Sequence, residues 1–398
     1  MAASTPLRIL HLTAAEGMLN PNLRDQLLYL RGLGYDVHTA SIDGTLARRL
    51  RDEDGFPWTP LPLTREFAPW QDWKAVRFIE RFCRERNFEL VHTHTPKGNL
   101  TGQWGARKAG VPIVLQTLHG FYFHEHMPWI KRRAWIAVEK FSARFSDHIL
   151  CQNPEDVETA QREGISGPEQ ITLLGNGIDL ERFRPEQFSA EARARKRAEL
   201  GLPPDALVAG MCGRFLAEKG FPEFLTAGRK LLAAHPRLHL LAVGHRLASE
   251  RAGEAYSMTA AQSGFPAGRL SVLYDRDDMP ELYACMDLHV LPSHREGFPR
   301  VLMEGAAAGL PQIATNIRGC RQTIVEGVTG LLVPVGAVQA LASALERLLA
   351  DPALRSGMGR AARAKAEHEF DQRKVFEKVR DCYAKLIAQR LPQRLASG

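Results

Sequence analysis

Short apolar runs alternate along this chain with longer segments whose apolar residues recur at helical spacing. Residues 7–12 (LRILHL) read as a buried strand, 13–21 as a loop containing Gly17, and 23–33 as a helix closed by Gly32 and Gly34. Residues 35–41 form the next predicted strand, which Gly44 breaks. Strand, loop, helix and strand in that order open a parallel α/β sheet. Residues 58–73, rich in proline and aromatic rings, read as a loop, and 73–86 as an amphipathic helix. Further strands are predicted at 90–93, 111–117, 147–152 and 171–174. A charged, linker-like helix spans 188–200. The alternation then restarts, with strands at 207–212, 238–244, 270–273, 288–291, 312–315 and 330–335. Helices are predicted at 224–235, 338–349 and 370–386. The pattern gives two similar α/β halves with a break near 178–202. The expected domains are 1–190, 191–372 and a final helical segment, 373–398.

Composition agrees with a soluble globular chain: 398 residues, 44% hydrophobic and 24% charged, enough for two domains of ordinary size. The formal net charge of +7 and a pI near 9.2 suit nucleic acid, an anionic membrane surface or anionic substrates. No RNP-like, zinc-finger or helix-turn-helix pattern supports the first. The six cysteines are scattered without a C-x-x-C, as expected of reduced, buried thiols in a cytosolic protein. Residues 1–6 lack the basic and apolar parts of a signal peptide. No apolar run reaches the length of about eighteen residues needed to span a bilayer. A cytoplasmic location is expected.

The most informative stretch is 293–311, SHREGFPRVLMEGAAAGLP. Pro299 suits the first turn of a helix, where its missing N–H costs nothing. Residues 301–308 are helix-permissive, Gly309 suits the C-terminal cap, and Pro311 forbids continuation. Glu296 then lies in the loop feeding the helix and Glu304 inside it. Free N–H groups and the helix dipole at such an N-terminus bind anions, and flanking carboxylates accept from hydroxyls. The chemistry is that of a ligand carrying both phosphate and sugar hydroxyls. Arg214 and Lys219, in GRFLAEKG after a predicted strand, supply a planar fork and a point charge suited to a diphosphate.

The E-x7-E of REGFPRVLMEGAAAGLP, with LPSHREGFPR before it and GLPQIATNIRGCRQTIVEGVTGLLVP after it, resembles the donor-binding motif of the family 4 glycosyltransferases. Those are retaining enzymes of the GT-B fold. The resemblance covers nearly the whole chain and implies two Rossmann-like α/β domains facing each other across a cleft, with the last helix crossing back to the first domain. It implies that Arg214 and Lys219 hold the donor diphosphate, Glu304 the ribose hydroxyls and Glu296 the sugar hydroxyls. Gly213, Gly297, Phe298, Pro299, Arg300 and Val301 would line the donor, with Tyr274 and Arg276 near the base. His119 of the His119–Gly120 pair would lie beside the transferred sugar. The family's first loop carries two adjacent glycines, whereas AAEGMLN keeps only Gly17. GNGIDL, at 175–180, resembles the family's domain junction, where Gly175 and Gly177 supply freedom for a hinge.

Other residues carry more than one reading. His92 and His94 alternate on one strand and point the same way, either as strand-end polar residues or as two ligands of a metal whose third is not placed nearby by sequence. Lys97, at the carboxyl end of a parallel strand, would face the ligand crevice. Residues 121–126, with Phe121 and Phe123 among three rings and two more histidines, read as an acceptor-side loop. The helix predicted at 129–145 has apolar residues at 130, 134, 137, 138, 141 and 145, with Lys131, Arg132, Arg133, Lys140 and Arg144 filling much of the rest. Such a helix lies on an anionic membrane or packs on a core with a solvated basic face. Asp275-Arg276-Asp277 is literally a D-x-D, a metal motif in another glycosyltransferase fold, but Asp277 and Asp278 here look like a cap for the next helix.

The expectation is therefore a metal-independent retaining glycosyltransferase with no cofactor. It would use a nucleotide-diphosphate sugar, a UDP-sugar first, and a polyprenyl-diphosphate-linked saccharide in cell-surface polysaccharide synthesis, with peripheral contact to an anionic membrane and no nucleic acid partner. A soluble natural-product acceptor, a sugar-nucleotide 2-epimerase and a non-catalytic sugar-nucleotide-binding protein are the alternatives.

Overall fold

The computed structural model describes residues 6–19, 21–64, 68–124, 127–245, 256–262 and 264–395. Two compact units divide the chain. The first holds the residues up to Asn176 together with those from Arg373 on, and the second runs from Gly177 to Gln372.

Apolar runs too short for helices form the sheet of each unit. In the first unit these are β1 (Arg8–Thr13), β2 (Asp36–Ser41), β3 (Trp58–Pro60), β4 (Leu90–His94), β5 (Ile113–Leu118), β6 (His148–Cys151) and β7 (Ile171–Leu173). They pair in the order β3-β2-β1-β4-β5-β6-β7, parallel throughout. Successive strand residues face opposite sides, and helices cover both. Ile9, Leu90 and Leu115 pack with Val379 and Leu386 of the Gln372–Arg390 helix, while Leu10, Val91 and Val114 pack with Ala75, Ile79 and Ala106.

The second unit repeats the plan with β8 (Leu207–Arg214), β9 (Leu238–His245), β10 (Leu270–Tyr274), β11 (Leu288–Leu291), β12 (Gln312–Thr315) and β13 (Gly330–Val333). Their order is β10-β9-β8-β11-β12-β13, again parallel. In both sheets the order reverses beside the first strand, between β1 and β4 and between β8 and β11. There the loops leaving the carboxyl ends diverge and leave room for a ligand. All six cysteines are free thiols, five of them buried. Among the described residues no helix is long and apolar enough to cross a membrane.

Several expectations change. Residues 58–73 are not one loop: β3 adds to the sheet edge and a helix already starts at Pro69, while 65–67 lie outside the described residues. Gly44 does break a strand, but it also begins the Thr45–Asp52 helix. Thr95 precedes a helix, Pro96–Ala109, whose proline occupies the first turn. The Trp129–Ala143 helix, for which two readings were open, buries Ile136, Glu139 and Ser142. The apolar stripe read from spacing is largely its outer face: Ile130, Ala134, Ala137 and Phe141 are exposed beside Lys131, Arg133, Lys140 and Arg144.

Candidate functional site

In the second unit the site starts from close backbone packing at the strand-order reversal. β8 ends at Arg214, and Ala217–Lys219 makes a single tight turn into Gly220. Gly220 has φ +87°, and a Cβ there would lie 2.2 Å from the Pro292 carbonyl oxygen, so only glycine lets this turn touch the loop after β11. The His294 N–H donates to the Glu218 carbonyl at 2.8 Å, and the Ser293 hydroxyl reaches the same oxygen at 3.2 Å. The two loops are thus stitched together, and Lys219 Nζ donates to Glu296 Oε1 at 2.7 Å. Their side chains are only 14% and 12% exposed. Taking such a pair out of water costs most of what its attraction returns, so its placement points to use rather than stability. From the other side a Cβ on Gly319 would sit 2.7 Å from the carbonyl oxygens of Glu296 and Gly297, so this glycine lets the Arg318–Thr323 helix support the Glu296 loop.

The next helix is Arg300–Ala307, with Pro299 as its N-cap residue, one position before the expected first turn. Gly309, at φ +73°, follows its end. Glu304 is buried inside it. The Tyr283 hydroxyl donates to Glu304 Oε2 at 3.0 Å, and Arg300 Nη2 to Oε1 at 3.3 Å. Arg300 Nη1 is buried without a hydrogen-bond partner. Phe298 and Val301 pack against the core, which leaves their backbone rather than their side chains for a ligand.

The two expected diphosphate cations each face a carboxylate. Arg214 lies 4.0 Å from Glu218, which also faces Arg295 at 3.6 Å, and Lys219 holds Glu296. Gly213 directly precedes Arg214 on β8. Tyr274 is half-exposed with its ring edge-on to Phe215. Arg276 is engaged by Asp278, with Nε to Oδ1 at 2.7 Å, and Lys196 reaches the same carboxylate at 2.6 Å. The Arg276 hydrogen bond, above all, holds Asp278 well below the usual carboxylate range. Asp278 therefore spends its oxygens on two cations and makes no side-chain cap for the Met279–Ala284 helix, contrary to expectation.

The first unit gathers a second cluster at its own strand-order reversal. β1 and β4 place His11 opposite His92, and ligand-capable atoms of His11, His92 and His94 all lie within 4.8 Å of one another. The third histidine that sequence did not locate comes from the neighbouring strand. His94 Nδ1 is 3.0 Å from His119 Nε2, and His119 Nδ1 is 3.1 Å from Gln152 Oε1. The imidazole expected beside the sugar thus makes both ring contacts within its own unit. Burial lowers His119 to about 4 and His11 to about 3, and pushes His92 and His94 well down. Gly120 follows with φ +115°. Gly17 lies in the single turn Glu16–Met18 after β1.

Lys97, read as a crevice cation, is held by Asp72 at 2.6 Å. Phe121 and Phe123, read as acceptor-side rings, stack on each other at 4.6 Å and are buried, 8% and 1% exposed. Tyr122 is the exposed ring of that segment, tilted against Trp135, and residues 125 and 126 lie outside the described residues. Sequence reasoning passed over His11, Tyr283, Gln152 and Tyr383. Only His11 left a signal, a lone polar residue inside the apolar run LRILHL.

Two parallel-sheet Rossmann-like units, the second carrying an E-x7-E loop and helix at its strand-order reversal, define a GT-B glycosyltransferase. A Glycosyl transferase 4-like domain matches residues 19–177, and the Glycosyl transferases group 1 domain matches 192–365. The chain belongs to the family 4 glycosyltransferases. It is 27% identical to the capsular polysaccharide biosynthesis glycosyltransferase CapM of Staphylococcus aureus, over 94% of this chain and 96% of that one. It is 28% identical to the Escherichia coli UDP-Gal:alpha-D-GlcNAc-diphosphoundecaprenol alpha-1,3-galactosyltransferase, over 82% of this chain and 83% of that one. The crystal structure of Anabaena HepE in complex with UDP and glucose superposes with a TM-score of 0.79 at 20% identity, covering 95% of this chain and 100% of that one.

Proposed function

We propose that this glycosyltransferase moves a sugar from a UDP-sugar to a polyprenyl-diphosphate-linked saccharide, with retention at the anomeric carbon and without a metal. The observation that carries the reading is the part-buried Lys219–Glu296 pair at the strand-order reversal of the second sheet, beside the helix that holds Glu304. Glu296, with one oxygen on Lys219, keeps lone pairs for sugar hydroxyls. Glu304, oriented by Tyr283 and Arg300, accepts from ribose hydroxyls. Arg214, Lys219 and the backbone N–H groups opening the Arg300–Ala307 helix stabilise the charge that grows on the leaving diphosphate. None of the residues gathered here is placed as a nucleophile. Same-face attack, with the departing phosphate accepting the acceptor's proton, accounts for retention.

The names of relatives support the two substrates: HepE was crystallised with UDP and glucose, and the Escherichia coli relative pairs UDP-Gal with a GlcNAc-diphosphoundecaprenol. The surface of the first unit supports a lipid-linked acceptor. Trp129, Ile130 and Phe141 are 74%, 65% and 41% exposed, among the basic residues of the same helix. Two aromatic rings and an aliphatic side chain among lysines and arginines suit the headgroup layer of an anionic membrane, with the protein peripheral on its cytoplasmic face.

The test is a donor screen. The purified protein is incubated with UDP-, GDP- and dTDP-sugars, with and without GlcNAc-diphosphoundecaprenol in detergent, and with EDTA. Acceptor-dependent release of UDP that survives EDTA is the expected result. Loss of release in EDTA would end metal independence, and release only with a soluble acceptor would end the lipid reading. Sugar interconversion without release would make the protein an epimerase.

A further inference from the structure

The histidines of the first unit belong to a longer chain of contacts than a metal reading needs. Gln152 Oε1 is an acceptor only, so His119 Nδ1 donates to it at 3.1 Å. A neutral imidazole carries one N–H, so His119 Nε2 must accept, and it does so from His94 Nδ1 at 3.0 Å. His94 Nε2 then accepts from His11 Nδ1 at 3.1 Å. His11 Nε2 accepts from the Tyr383 hydroxyl, also at 3.1 Å. The Tyr383 oxygen accepts from His92 Nδ1 at 2.7 Å, and His92 Nε2 accepts from the Thr117 hydroxyl at 2.7 Å. Every ring nitrogen is used once, and no donor or acceptor of the rings is left over. The four imidazoles all carry their proton on Nδ1.

We propose that these seven side chains form one directional hydrogen-bond relay that fixes the tautomer and ring orientation of His119, making Tyr383, His11, His92 and His94 positioning residues for the acceptor side of the enzyme. The last clause rests on the proposed place of His119 beside the reacting sugar. No member changes its proton alone. Turning one imidazole over sets donor against donor at one neighbour and acceptor against acceptor at the other, in an interior where an unmade hydrogen bond is costly. The single alternative reverses every proton and flips the Gln152 amide. The relay therefore behaves as one two-state element that ends at Thr117 and at Gln152, with Tyr383 of the Gln372–Arg390 helix in its interior and the partly exposed His119 next to the Gln152 end. Burial supports it by keeping all four rings neutral, as the count of one N–H per ring requires. A metal held by His11, His92 and His94 would need the nitrogen lone pairs that the relay already occupies.

Histidine labelled with nitrogen-15 and long-range proton–nitrogen spectra at neutral pH read the tautomers directly. In the intact protein His11, His92, His94 and His119 are expected to show a protonated Nδ1 and a bare Nε2, although neutral histidine in water favours the opposite form. A single Nε2–H or doubly protonated ring among the four overturns the proposal, as does stoichiometric bound metal in the purified protein. Tyr383→Phe should turn His92 to its Nε2–H form, donating to Thr117, and shift the His119 resonance with it. Gln152→Glu, at the partly exposed end, should keep the shared tautomer while shifting His94 and His11 beyond the site of change. In either variant, shifts confined to the nearest ring overturn the coupling. Addition of GlcNAc-diphosphoundecaprenol in micelles separates the two claims. Movement of His119 supports both, and a relay that stands while His119 ignores the lipid refutes its link with the acceptor.

Discussion

Replacing Glu139 by glutamine should stabilise the first unit in neutral and alkaline solution and leave it unchanged in acid. The Trp129–Ala143 helix turns this carboxyl inward, where it is 3% exposed and its Oε1 has no hydrogen-bond partner. Burial first, and the charge of the equally buried Asp156 second, raise its pKa from 4.5 to about 7. The folded state thus holds the proton more tightly than the unfolded one. No penalty exists below the unfolded value; it grows as pH rises towards the folded value and is complete above it. At 1.36 kcal/mol per pH unit, that interval amounts to about 3 kcal/mol, a large part of the stability of an ordinary domain. Glutamine keeps the shape and cannot ionise, so the gain should appear at about pH 8 and vanish near pH 4. All six tryptophans, at 58, 70, 73, 104, 129 and 135, lie in the first unit, so urea unfolding followed by tryptophan fluorescence reports that unit alone. Equal stabilisation at both pH values, or none at the higher one, would refute ionisation as the cause.

Lys219→Met and Glu296→Gln should each lower acceptor-dependent diphosphate release by about a hundredfold, the worth of a transition-state contact. The double variant should lose little more, because either change dissolves the same pair; additive losses would show that the two act independently. Gly319→Ala should raise the donor KM by pushing the carbonyls of Glu296 and Gly297 from their 2.7 Å approach, while leaving the tryptophan-monitored stability of the first unit untouched. Unchanged donor kinetics would mean that the Glu296 loop shifts without consequence. Tyr283→Phe removes the hydroxyl that donates to Glu304 and should weaken UDP binding about tenfold by calorimetry, the value of one buried hydrogen bond. Full affinity would exclude Glu304 from the ribose site.

The strands were legible because a strand covered on both faces is a short unbroken apolar run, as in LRILHL and LHLLAVG. Helices opening on proline were read late or missed: the one predicted at 73–86 starts at Pro69, and Pro96–Ala109 was not predicted, since both prolines look like breaks but fill the first turn, where no N–H is needed. The Trp129–Ala143 helix stayed open between two readings for a different reason. Periodicity finds an apolar stripe but does not say which side it faces: this helix buries Ile136, Glu139 and Ser142 and leaves Ile130 and Phe141 outside.

The candidate sites were legible only in part because their key contacts are set by strand order. Lys219 and Glu296 are 77 residues apart, and His11 and His94 are 83 apart. Each pair comes from the first strand of its sheet and the strand that joins it on the other side, β8 with β11 and β1 with β4. No local pattern encodes that adjacency, but a parallel sheet whose order reverses beside its first strand produces it without further instruction. E-x7-E could be read because loop and helix are consecutive. Lys219 could be read as a phosphate cation but not as the partner of Glu296, since nothing near GRFLAEKG says that a carboxylate will arrive from the far side of the reversal. In the first unit the same topology brings together not charges but neutral rings, which need no counter-ion and can pass orientation from one to the next. One sheet plan used twice thus yields a charged centre in one unit and an uncharged relay in the other, and the difference lies in a few residues, within β1 and β4 in the first unit and just after β8 and β11 in the second.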